Sequence, residues 1–157
     1  MGRRNPPDTP DAGPKYLNTP QTELFDKSGQ LFGLTEGADA LGGGATPVLV
    51  EGPLDAWATT LAGAGQAVGV AALGTAFTDR QADQLRPYLG AGKAGIIVAT
   101  DNDRAGQQAA VRAFWQLTAR GANPRHLVMA DGQDPAETLC CGATTGPAMR
   151  AGGWRPA

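Results

Sequence analysis

The sequence predicts an α/β fold in which about four parallel strands form one sheet flanked by helices, and three observations predict it. First, short apolar runs rich in β-branched residues recur: Pro47-Val48-Leu49-Val50, Gly95-Ile96-Ile97-Val98-Ala99 and His126-Leu127-Val128-Met129-Ala130. Second, helix-length segments precede the second and third runs, and strands separated by helices make a parallel sheet that is apolar on both faces. Third, each run stops at an acidic cluster: Glu51-Gly52-Pro53-Leu54-Asp55, Asp101-Asn102-Asp103 and Asp131-Gly132-Gln133-Asp134-Pro135. Parallel strands all point the same way, so residues just past their ends gather along one sheet edge, where open α/β sheets bind their ligands.

Each element follows from local chemistry. The first strand is expected at residues 48–50 and a helix over residues 53–64, with Pro53 in its first turn and Gly63 and Gly65 near its end. A second strand covers residues 67–71. Thr78-Asp79-Arg80-Gln81 reads as a capping box opening a short helix with Ala82, Leu85 and Leu89 at helical spacing, which Pro87 shortens or bends. A third strand covers residues 95–100. The longest helix is expected over residues 104–120, burying Ala110, Ala113, Phe114 and Leu117 and ending at Gly121 as a left-handed cap. A fourth strand at residues 127–130 and a short helix over residues 135–141 complete a βαβαβαβα order with right-handed crossovers.

Composition bounds the rest. A length of 157 residues suits one domain plus some tail, and 41% hydrophobic content is enough for a core. Many of the 23 glycines and 12 prolines fall in residues 1–14, 37–47 and 142–157, which read as flexible ends and a linker. A net charge of −2 with no Lys/Arg run excludes a basic nucleic-acid wrapper, so any nucleic-acid contact is local or metal-bridged. No apolar segment follows the opening Met1-Gly2-Arg3-Arg4, and no stretch approaches transmembrane length, so neither a signal peptide nor a membrane span is expected. Cys140 and Cys141 are adjacent and alone, which suits neither a disulfide framework nor a zinc site, and a reducing cytoplasm is the expected compartment.

The acidic clusters carry the chemistry. Four or five carboxylates cannot share a small volume ionised without a cation, because close like charges raise one another's pKa. Hard oxygen ligands in that number favour Mg²⁺ or Mn²⁺. Asp103 could serve only as the cap of the following helix, since Asp is a favoured N-cap and turn residue. Glu51 does not suit that role, and Asp101 and Asp103, two residues apart, point to the same side of an extended strand end. Asp55 lies one helical turn from Glu51 and can reach the same edge. Core packing is expected for at least two of Trp57, Phe114 and Trp115, and a structural role for His126, the single histidine. Gly42-Gly43-Gly44 is no phosphate loop, because it precedes a strand and lacks a Gly-Lys-Ser/Thr ending.

Four motifs in order, Glu51-Gly52-x-x-Asp55, Ala72-Leu73-Gly74-Thr75, Asp101-x-Asp103-x-Ala105-Gly106 and Asp134-Pro135, make the chain resemble a Toprim domain over residues 47–139. That family has a Rossmann-like sheet and includes bacterial replicative primases, topoisomerases and small nucleases acting on phosphodiesters through magnesium. The Ala-Leu-Gly-Thr motif is similar to the Ser-Leu-Gly-Thr of primases. Lys15-Tyr16-Leu17-Asn18-Thr19-Pro20, ahead of Phe25-Asp26-Lys27 and Leu31-Phe32-Gly33-Leu34, resembles the segment joining the two halves of the bacterial (DnaG-type) primase polymerase core.

The resemblance implies a tail at residues 1–14, a remnant of the preceding core half and a linker at 15–46, the Toprim domain at 47–141, and a flexible tail at 142–157. It implies Mg²⁺-dependent nucleotidyl transfer for RNA primer synthesis in DNA replication, on single-stranded DNA template with nucleotides. Glu51 is then a metal ligand or the acid/base at the reacting phosphate, Asp101 and Asp103 hold the metals, Asp134 completes the site and Asp55 assists. Lys15, Asn18 and Arg104 would touch nucleotide or template phosphate. The chain departs from the primase pattern at Ala136, where primases carry a second aspartate, and Glu137 follows it. Primases also carry a zinc ribbon, a basic core half and a helicase-binding domain without counterparts here. The expectation is a core half that works with a separate primase subunit or a replicative helicase. A small Toprim nuclease and a non-catalytic nucleic-acid-binding module are the alternatives.

Overall fold

The structure is a computed structural model that describes residues 3–4, 16–17, 26–73, 76–89 and 95–127. Arg3–Arg4 (β1) and Tyr16–Leu17 (β2) form a two-residue antiparallel ladder. The main sheet contains β3 (Leu31–Phe32), β4 (Thr46–Val50), β5 (Ala67–Ala72), β6 (Ile96–Val98) and β7 (Pro124–His126). Its spatial order is β3-β5-β4-β6-β7. The last four strands are parallel, as the sequence predicts, and β3 adds an antiparallel edge that it does not. The expected helices are α2 (Pro53–Gly63), α3 (Asp79–Leu85) and α4 (Arg104–Thr118), and a short helix α1 (Ala38–Gly42) precedes them.

Side-chain alternation along the strands separates two cores. Leu49, Val68, Val70, Ile96 and Val98 face one side, where they meet Leu41 of α1, Ala82 and Leu85 of α3, and Ala110, Ala113 and Leu117 of α4. Val48, Val50, Ala71 and Ala99 face the other side and meet Ala56 of α2. Three helices therefore cover one face and α2 covers the second. Close approach of α2 depends on Gly69 of β5, where an added Cβ would lie 2.3 Å from the Ala56 carbonyl oxygen. The Gly69 amide, beyond the end of β3, donates to Thr60 Oγ1 at 2.9 Å, and that hydroxyl donates to the Ala56 carbonyl.

The caps form largely as their residues require. Thr78 and Gln81 make the reciprocal capping box of α3, and a 3₁₀ turn at Arg86–Tyr88 follows where Pro87 ends the α-helix. Gly121 takes a positive φ of 80° after α4, whereas α2 ends on Ala64, a non-glycine residue at φ 45°. Gln81 has a second function that the capping box does not reveal. Its side chain is fully buried, and its Nε2 donates to the carbonyls of Lys27 and Gln30. With Thr78 Oγ1 donating to the Ser28 carbonyl, these bonds fasten residues 27–30 onto the start of α3.

Several expectations need correcting. The segment 37–47, read as a linker, holds α1, and its Leu41 is fully buried in the first core. The last described strand starts at Pro124 rather than residue 127, although the Leu127 amide still donates to the Val98 carbonyl. Proline suits a strand's first residue, and β7 is an outermost strand of the sheet among the described residues. Trp57 and Trp115 are each 58% exposed, and neither lies in the core. Trp57 packs edge-on against Phe32, and Trp115 against the half-buried Phe114. The remainder of the fourth strand, the helix expected at 135–141 and both Cys residues lie outside the described residues. No helix among the described residues is long and apolar enough to cross a membrane.

Candidate functional site

β4 and β6 are neighbours, with Val48 opposite Ile97 and Leu49 opposite Val98. The helices that follow them leave toward opposite faces, α2 to the second core and α4 to the first. Backbones diverging in this way open a crevice at the strand ends, the switch point where parallel α/β sheets bind ligands. Glu51 is one residue past β4, and Asp101 is three residues past β6. Their main chains remain in register beyond the ladder, since the Ala99 amide donates to the Leu49 carbonyl at 2.8 Å.

Two backbone amides organise the carboxylates. The Asp101 amide donates to Glu51 Oε1 at 3.1 Å, which joins the two strand ends directly. The Gly106 amide donates to Asp103 Oδ1 at 2.7 Å, making Asp103 the N-cap of α4. Asp103 thus fills the capping role that its position allows, with its second oxygen outside that bond. Asp55 sits in the first turn of α2 and folds back over Gly52, where an added Cβ would lie 2.9 Å from Asp55 Oδ2.

The charge balance registers this crowding. Solvent reaches Glu51, yet the protein packed around its carboxyl is the largest cause holding its pKa above the ordinary carboxylate range. The Asp101 amide pulls it down, and the negative charges of Asp101, Asp103 and Asp55 push it up again. A cation would relieve that repulsion, and the available donors are hard carboxylate oxygens that suit magnesium or manganese. Among the described residues, no three His, Cys, Asp or Glu side chains come close enough to enclose an ion. Glu51 Oε1 and Asp103 Oδ1 are instead turned toward backbone amides.

The structure thus brings Asp55, Asp101 and Asp103 within electrostatic reach of Glu51. Arg104 is the exposed first residue of α4, next to Asp103. Asp134, Lys15, Asn18, Ala136 and Glu137 lie outside the described residues. Sequence reasoning gives Gly106 only as the end of a motif, without a role, and does not single out Thr100. Gly106 is buried, with the Asp101 carbonyl and Glu51 Oε1 where its Cβ would be. Thr100 is 6% exposed, and its hydroxyl has no hydrogen-bond partner among the described residues. The glycine could have been singled out by its place three residues after an N-cap, but nothing in the sequence marks the threonine.

His126 is the last residue of β7, in register with Val98 at the end of β6. It is half-buried in β7, where it lines a small recess with Val98, Phe114 and Pro124, and burial lowers its pKa. A structural role agrees with that position.

A family described as Toprim-like matches residues 48–139. The DNA primase of Deinococcus radiodurans is 39% identical over 136 residues, which cover 87% of this chain and 23% of that protein. The chain thus spans less than a quarter of the length of this curated relative. The Aquifex aeolicus primase, solved as its zinc-binding and RNA polymerase domains, superposes with a TM-score of 0.72 at 32% identity, over 88% of this chain and 32% of that one. A DnaG primase catalytic domain bound to single-stranded DNA superposes with a TM-score of 0.64 at 34% identity, over 87% of this chain and 42% of that one.

Proposed function

The chain belongs to the Toprim-like family, and we propose that it is the metal-binding half of a DNA-primase-type nucleotidyltransferase, which makes RNA primers on single-stranded DNA. The observation that carries this reading is the joining of Glu51 to Asp101 across adjacent strand ends, with Asp103 and Asp55 within electrostatic reach. The 39% identity to a DNA primase and the likeness to a primase catalytic domain bound to single-stranded DNA support the choice of substrate.

Asp101 and Asp103 would hold Mg²⁺ or Mn²⁺, with Asp134 completing the set, Glu51 serving as a further ligand or as the acid/base, and Asp55 steadying the group from the first turn of α2. When bound, the ions would supply positive charge to offset the negative charge that develops at the phosphorus. The chain's own residues prepare the site in three ways. Glu51, where it does not serve as a ligand, would take the proton of the attacking hydroxyl once the primer end is in place. The Asp101 amide fixes one Glu51 oxygen, so the carboxylate presents the other to the reaction. The Asp103 cap fixes one of its own oxygens in the same way, leaving the second for a ligand. Arg104 at the head of α4, together with Lys15 and Asn18, would contact nucleotide or template phosphates.

The chain would act in the cytoplasm with a separate primase subunit that supplies the rest of the core, or with a replicative helicase. The test is Mn²⁺ and Mg²⁺ binding by calorimetry to the wild-type chain and to Asp101→Ala/Asp103→Ala, then nucleotide incorporation on single-stranded template with and without a basic primase half in trans. Binding lost in the double variant, with incorporation appearing on addition of the basic half, is the expected outcome. Absence of metal binding by the wild type would sink the catalytic reading, and template cleavage in place of synthesis would turn it toward a nuclease.

A further inference from the structure

We infer that Gly106 is the positioning residue of the carboxylate site, the point through which α4 holds Glu51, Asp101 and Asp103 in one arrangement. The inference rests on the reading of that site as metal-binding. Three contacts carry it. The Gly106 amide donates to Asp103 Oδ1 at 2.7 Å. Where its Cβ would be, the Asp101 carbonyl oxygen lies 2.1 Å away and Glu51 Oε1 lies 3.0 Å away. The first distance is to backbone, so no side-chain rotation can relieve it.

Gly106 is also the first member of the buried stripe of α4, followed by Ala110, Ala113 and Leu117. The lower part of that stripe docks α4 on the sheet through ordinary apolar packing. At the top, the helix comes so close to the end of β6 that only hydrogen fits in place of a side chain. Helical propensity argues against glycine here, since alanine is preferred at helical positions. Its presence is explained by the approach to Asp101 and Glu51. An added methyl group must push the Asp101 main chain and the Glu51 carboxylate apart, breaking the 3.1 Å bond between them, or tilt the first turn of α4 and take Asp103 with it.

The test compares four full-length chains: wild type, Gly106→Ala, Asp103→Asn, and Gln107→Ala as a control at the next, exposed position of the helix. Mn²⁺ affinity is measured by calorimetry, and metal-free folding by far-ultraviolet circular dichroism and thermal melting. Gly106→Ala is expected to keep its circular dichroism, to melt lower than the Gln107→Ala control without metal, and to bind Mn²⁺ at least tenfold more weakly than wild type at a temperature where both chains are folded. A merely structural residue would lower the metal-free melting temperature alone and leave the Mn²⁺ affinity of the folded chain at the wild-type value. If the wild type binds Mn²⁺, Asp103→Asn does not, and Gly106→Ala binds as the wild type does, the inference fails and the metal reading stands. Lack of binding by the wild type removes both. A Gly106→Ala chain that loses its circular dichroism also overturns the inference, because Gly106 would then serve the fold.

Discussion

Asp103 is both a helix cap and a candidate ligand, and two substitutions separate those functions. Asp103→Ala removes the Oδ1 that accepts the Gly106 amide at 2.7 Å. Loss of such an N-cap costs about 1 kcal/mol, which for a domain of this size lowers the melting temperature by about 4 °C. Asp103→Asn keeps a capping oxygen of nearly equal quality. It loses the negative charge that favours a helix N-terminus, but it also loses the charge that repels Glu51. These effects oppose one another, so the metal-free melting of Asp103→Asn should stay close to wild type. Addition of Mn²⁺ at about a hundred times its dissociation constant stabilises the wild type by about 2.7 kcal/mol, and neither variant should gain that increment. Thermal melting of the three chains with and without Mn²⁺ is the assay. Equal metal-free melting of Asp103→Ala and Asp103→Asn would refute the capping argument, and full Mn²⁺ stabilisation of Asp103→Asn would refute the assignment of Asp103 as a ligand.

Three further outcomes follow from the same contacts. The folded state raises the pKa of Glu51, so the stability this group contributes is fully present below its unfolded pKa and is lost as pH rises through the folded one. In metal-free melting, Glu51→Gln should therefore gain on wild type as pH climbs through the region just above the ordinary carboxylate range, and a difference that shrinks over that window would contradict the sign. Gly69→Ala would place a methyl group 2.3 Å from the Ala56 carbonyl oxygen and 2.6 Å from its Cα. Prying α2 from β5 should cost about 3 kcal/mol in denaturant unfolding, at the upper end for overpacking. Ala64→Gly should raise stability by about 0.5–1 kcal/mol, because Ala64 closes α2 at φ 45° and ψ 43°, where glycine has no Cβ penalty.

What was legible in the sequence was what local chemistry decides. The apolar runs at Val48-Leu49-Val50 and Ile96-Ile97-Val98 became β4 and β6, and the acidic residues after them met because parallel neighbours end together. The capping box at Thr78 and Gln81 formed as its residue types require. The features that were not legible depend on contacts distant in sequence. β3 is two residues long and shows no periodicity of its own; it exists because Leu31 and Phe32 find Ala72 and Ala71 beside them. The glycines around α1 suggest a linker, yet Leu41 is drawn into a cavity that β5, α3 and α4 create. Helical spacing placed Trp57 on a helix without saying which face the helix would bury. Gly69 decides that question: it admits α2 by its small face, Ala56 and Thr59, and the large side chains Leu54, Trp57 and Leu61 are left outward.

The same asymmetry explains why the candidate site sits where it does. Metal-free, the acidic edge gives the fold little: Glu51 is held in a state that resists ionisation, and its repulsion from Asp101, Asp103 and Asp55 opposes folding at neutral pH. Two hydrogen bonds to the carboxylates come from the amides of Asp101 and Gly106, both belonging to the short passage from β6 into α4. That passage is in turn fixed from below by Ala110, Ala113 and Leu117 on the sheet. The arrangement therefore draws its rigidity from the apolar core and its charge from residues that weaken the core's net stability. A cation held there would reverse the second effect without disturbing the first. Stability bought by metal at this edge should accordingly appear as resistance to thermal unfolding of the β4, β6 and α4 unit as a whole.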